Sequence, residues 1–91
     1  MDYSTDSLKK IKELAYKMTP ISEIGALLEL PINELKDDIA CEDSDVHKAF
    51  YSGMAEIALE IRERDMELAR AGSPSAADAL KNHLRKMMNE L

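Results

Sequence analysis

Two side chains of the segment Pro31 to Ile39 have the chemistry to read a base edge. Asn33 can donate and accept at once, the pattern that matches adenine, and Lys36 can donate to guanine or to a phosphate. Three residues apart, they share a face wherever the segment is helical. A second set of cations, Lys9, Lys10 and Lys12 with Lys17 beyond them, could touch a phosphate backbone. The other reactive types are scattered. His47 and His83 have no HExxH pairing, no phosphate-cradling glycine loop and no nucleophile elbow around them. Glu56, Glu60 and Glu63 are interleaved with Arg62 and Arg64, which reads as a salt-bridged helix flank. The cluster CEDSDVH lacks the alternating ligands, the glycine and the distal glutamate of an EF-hand loop. It reads as a solvated acidic cap at the positive end of the helix that follows. No catalytic residue, metal or cofactor is expected, and the protein is read as a non-enzyme.

Helices must position these residues. The 91-residue chain is rich in Ala, Leu, Glu and Lys and has one Phe and no Trp, so helix is favoured over strand. Ser4 or Thr5 can cap a first helix to about Met18, with Leu8, Ile11, Leu14, Ala15 and Met18 on one face. Thr19-Pro20 reads as a cap and a first helical proline, opening a helix with Ile21, Ile24, Leu27 and Leu28 that ends near Glu29. Pro31 bends Leu30 out of the helical region and opens a third helix with Ile32, Leu35 and Ile39 inward. Ser44 or Asp45 caps a long helix from Val46 to about Ala71. Its residues Phe50, Met54, Ile57, Ile61 and Leu68 form a near-heptad seam. Gly72 ends that helix, and Ser73-Pro74 starts a last one with Ala77, Leu80, Leu84, Met87 and Leu91 on its seam. The expected fold is all-α: a helix-turn-helix unit over residues 1–45, then an antiparallel helical hairpin over 46–91, within one compact domain.

Thr19 to Ile39 carries the spacing of a helix-turn-helix. Ile24, Leu28, Leu30, Leu35 and Ile39 take the aliphatic positions, Gly25 or Ala26 the small one, and Glu29 stands where a turn glycine is usual. Such a motif puts its second helix in the major groove of DNA, which would place Asn33 and Lys36 at the bases. The bland alternative is a three-helix unit that binds no DNA. Charge favours that alternative. Thr19 to Val46 holds eight acidic residues against Lys36, net −7, while residues 1–18 are net +1 and residues 47–91 net zero. An acidic segment repels phosphate and suits a basic protein partner. The surplus of apolar positions in the hairpin, Met54, Met66, Met87 and Met88 among them, points to a homo-oligomer. Cys41 is the single cysteine, which suits a reducing cytoplasm. The polar start and the lack of a long apolar run predict neither a signal segment nor a membrane span.

The layout resembles the small terminase subunits of tailed phages and prophages. PISEIGALLELPINELKDDI looks like their DNA-binding motif, and ELARAGSPSAADALKNHL is similar to their helix, Gly-x-Pro-x-Ala, helix element. With KAFYSGMAEIALEIRERDM between them, the likeness covers most of residues 8 to 91. The resemblance implies DNA recognition during packaging by Asn33 and Lys36, with Lys9, Lys10 and Lys12 assisting, and a helical segment that assembles the subunits into rings. The chain departs from the family in being short, without a C-terminal segment for a large subunit, and in its acidic second helix.

Overall fold

A computed structural model describes residues Met1–Leu91 and contains five helices and no strand: α1 Thr5–Tyr16, α2 Ile21–Leu28, α3 Ile32–Ala40, α4 Asp45–Arg70 and α5 Pro74–Asn89. The all-α architecture, with short helices followed by a long hairpin, is the one expected. No helix is long and apolar enough to cross a membrane. The chain divides into two compact units, Met1–Ile57 and Ala58–Leu91. Their boundary lies inside α4, not in the loop before it.

Polar side chains and backbone turns fix the helix ends. Ser4 caps α1, its Oγ accepting from the Ser7 amide at 3.0 Å, and Ser73 caps α5 by accepting from the Ala76 amide at 3.3 Å. Ser44 Oγ accepts from the His47 amide at 3.0 Å and lies 2.6 Å from the Asp38 carbonyl, so one hydroxyl serves the start of α4 and the end of α3. Before α2 the expected cap shifts by one residue. Pro20, not Thr19, stands at the cap with extended backbone, and its carbonyl accepts from the Glu23 and Ile24 amides. Pro31 does the same for α3. A proline in this place gives up no donor, because the first helical amides have no intrahelical partner anyway.

Three helices end on a residue in the left-handed region: Met18 (φ 62°), Glu29 (φ 55°) and Gly72 (φ 101°). After each, an amide reaches back across six residues: Thr19 to the Leu14 carbonyl, Leu30 to Gly25, and Ser73 to Leu68. This closure satisfies carbonyls that the helix leaves open, and glycine is the residue it suits. Only the third site has one.

The first unit is built around Ile11, Ile24, Leu35, Ile39 and Val46, with Leu8, Leu14, Ile21, Leu28, Leu30 and Phe50 packed on them. Val46 and Phe50 come from α4, which is why this unit runs on past residue 45. Two expected members of the core lie outside it. Met18 falls past the end of α1 and is 65% exposed, and Leu27 is 63% exposed. Ile21, Ile24, Gly25 and Leu28 already fill the inward stripe of α2 at steps of three, one and three. Gly53, in mid-α4, is buried against α1. A Cβ built there would collide with the Lys12 carbonyl oxygen and stand 3.1 Å from the Ala15 Cβ.

In the second unit, α4 and α5 run antiparallel. Asp65 stands 3.6 Å from His83 Nε2, and Ala58 shares a groove with Glu90. The residues shielded here are Ala58, Arg62, Asp65 and Ala69 on α4 and Ala76, Ala77, Ala79, Leu80 and His83 on α5. Of the expected seam, Ala77 and Leu80 on α5 are shielded, while Ile61 and Leu68 on α4 are 39% and 40% exposed. Alanines allow a closer approach than a row of Ile and Leu, and this leaves the larger side chains outward.

Candidate nucleic-acid interface

Packing of Ile32, Leu35 and Ile39 sets the rotation of α3. Asn33, Lys36, Asp37 and Ala40 are all exposed, at steps of three, one and three, and so form one outward strip. Glu34 is exposed at the flank of this strip, and Asp38 is engaged elsewhere. Asp38 is partly buried and accepts from the Tyr3 hydroxyl at 2.7 Å, with the N-terminal ammonium 3.9 Å away. Burial, that hydrogen bond, the Asp38 charge and the nearby Glu34 together push the Tyr3 phenol well above its ordinary range. Tyr3 therefore stays a neutral donor. Asp37 shares the strip with Asn33 and Lys36, and Glu34 borders it.

The lysines of α1 form a different place. Lys9, Lys12 and Lys17 line an open groove of about 450 Å³ with Glu13, Tyr16 and Glu56. On α1 the lining positions are 9, 12, 13, 16 and 17, one helical face. Lys12 Nζ is 3.2 Å from Glu56 Oε1 on α4. Lys10 is outside the groove and pairs with Asp6 at 3.1 Å. The structure thus divides the expected trio: Lys9 and Lys12 share a wall, and Lys10 does not join them. Lys17 lies with them, and Tyr16, which the spacing of α1 could have revealed, joins the wall. Neither Asn33 nor Lys36 lines this groove.

The two histidines are engaged locally. His47 Nδ1 donates to the Ile39 carbonyl at 2.6 Å, and its ring lies 4.3 Å from that of Tyr51. His83 faces Asp65. Cys41 is exposed, and no three His, Cys, Asp or Glu residues gather where a metal ion could sit. Compared with protein-family models, with curated proteins and with solved structures, the chain matches none.

Proposed function

We propose that this chain is a non-enzymatic helix-turn-helix protein of phage type that binds double-stranded DNA through the outward strip of α3. Asn33 and Lys36 meet base edges or phosphate, and Lys9, Lys12 and Lys17 add backbone contacts. Its resemblance to small terminase subunits suggests DNA recognition in packaging, in a reducing cytoplasm. One observation carries the reading. The strip itself holds one carboxylate, Asp37, beside Lys36, with Glu34 at its flank, and Asp38 lies off it bonded to Tyr3, so the strip is less acidic than the segment that contains it. With so few cations the binding is weak and strongly salt-dependent. About three phosphate contacts give a slope near −2.7 in log affinity against log salt.

Fluorescence anisotropy with a labelled mixed-sequence duplex at low salt tests this. Lys36→Glu should weaken binding roughly tenfold, and a wild-type protein that binds no duplex under those conditions sinks the proposal.

A second reading is an acidic adaptor that takes a basic protein partner. It is favoured by the ion pairs that occupy Lys10 and Lys12 and by the net −7 segment from Thr19 to Val46. Asp37→Lys separates the two readings: it strengthens DNA binding and weakens capture of a basic partner.

A further inference from the structure

The second unit exposes a row of large apolar side chains. On α5 these are Leu84 (52%), Met87 (60%) and Met88 (59%), and on α4 Leu59 (50%) and Met66 (41%). Met66, Leu84 and Met87 line one open groove of about 710 Å³. Leu59 lies seven residues before Met66, and Met88 lies four after Leu84, so each falls on its neighbour's side of the helix. We propose that this face binds the same face of a second copy of the chain, making a two-fold dimer in which two hairpins pack as four helices.

Three features select a second copy as the occupant. The first is charge. Ala58 to Leu91 carries six acidic and six basic residues, so the whole net charge of −6 resides in the first unit. A second hairpin meets no net repulsion there, while a polyanion or a strongly basic partner meets no net attraction. The second is area. The five side chains together expose on the order of 500 Å², the larger part of the roughly 800 Å² that each partner gives to a specific interface. The third is self-complementarity. Groove and ridge lie on the same unit, and the groove rim carries both signs, Arg62 and Lys86 beside Glu90. A two-fold axis can then place each copy's α5 ridge in the other's groove, with opposite charges meeting at the rim. That arrangement is closed and stops at two.

Sedimentation equilibrium of the full chain, from about 5 to 500 μM, tests the proposal. The wild type should show the mass of two chains. Leu84→Glu combined with Met88→Glu should raise the dissociation constant roughly 100-fold with helical circular dichroism unchanged, because both positions are exposed. Leu68→Glu, on another side of α4, should leave the dimer intact. If the double glutamate variant loses helicity, Leu84→Ser with Met88→Ser reads the same face. A wild type that stays monomeric at 500 μM overturns the proposal. So does a mass above two chains, or a folded Leu84/Met88 variant that dimerises as well as the wild type.

Discussion

Gly53→Ala should destabilise the first unit, although the same change in an ordinary helix stabilises it. Alanine is favoured over glycine by about 1 kcal/mol in a helix interior. At Gly53 the added methyl meets backbone: the Lys12 carbonyl oxygen in collision, with the Lys12 carbonyl carbon and the Ala15 Cβ each at 3.1 Å. A side chain could rotate away, but a carbonyl moves only with its helix. The two helices must separate by several tenths of an ångström, which loosens Ile11 and Val46, both essentially solvent-free. Overpacking of this kind costs ~1–3 kcal/mol, and a backbone obstacle belongs at the upper end. Subtracting the propensity gain leaves a net loss of about 1–2 kcal/mol. Urea unfolding followed at 222 nm would show this as a midpoint lowered by roughly 1–2 M at unchanged slope, for a slope near 1 kcal/mol/M. Gly72→Ala is the control. Nothing lies within 4 Å of its added methyl, so only the left-handed backbone (φ 101°) resists. A Gly53→Ala protein as stable as the wild type, or more so, would refute the close crossing of α1 and α4.

Other outcomes follow from the same contacts. Glu29→Gly should stabilise by about 0.5–1 kcal/mol, since relief of ~1–2 kcal/mol of left-handed strain exceeds glycine's extra freedom in the unfolded chain; the urea midpoint reads it. Tyr3→Phe should cost about 1 kcal/mol through the lost bond to Asp38, a bond to a charged but partly solvated group. The Tyr3 phenol is raised above its reference value of 10.0, so its contribution is complete below pH 10 and fades as pH rises beyond it. The wild-type advantage over Tyr3→Phe should therefore be flat from pH 6 to 9 and shrink in stronger alkali. Lys36→Glu and the paired Leu84/Met88 substitutions test DNA binding and dimerisation separately, because each change lies in a different unit.

Helix boundaries were legible because they rest on local chemistry. Ser4, Ser44 and Ser73 cap through their own hydroxyls, and Gly72 takes a conformation that little else takes without strain. Gly53 was not legible. Periodicity counts apolar side chains, and a glycine contributes none, although the closest crossing in the unit depends on it. The hairpin seam misled for the opposite reason. Ile61 and Leu68 dominate a hydrophobicity pattern, while the alanines that form the contact weigh little in it. At the candidate site, the positions of Asn33 and Lys36 on an exposed face could be read from spacing. The electrostatics could not. Asp38 is bonded to a tyrosine 35 residues away, and Lys12 is paired with Glu56 on another helix. A charge count along the chain treats both as free.

The left-handed residues at either side of α2 bear on the order of folding. This helix has eight residues, no side-chain cap and no basic residue in its last turn. Met18 lies just before it and Glu29 just after, each in a conformation costing an L-residue ~1–2 kcal/mol. A helix so short is marginal on its own even with ideal ends. α2 is therefore a conformation lent by its neighbours: it exists once Ile24 has docked on Ile11 and Leu35, and not before. Its amides should exchange with solvent before those of α1 when the core loosens, an order that hydrogen exchange would read.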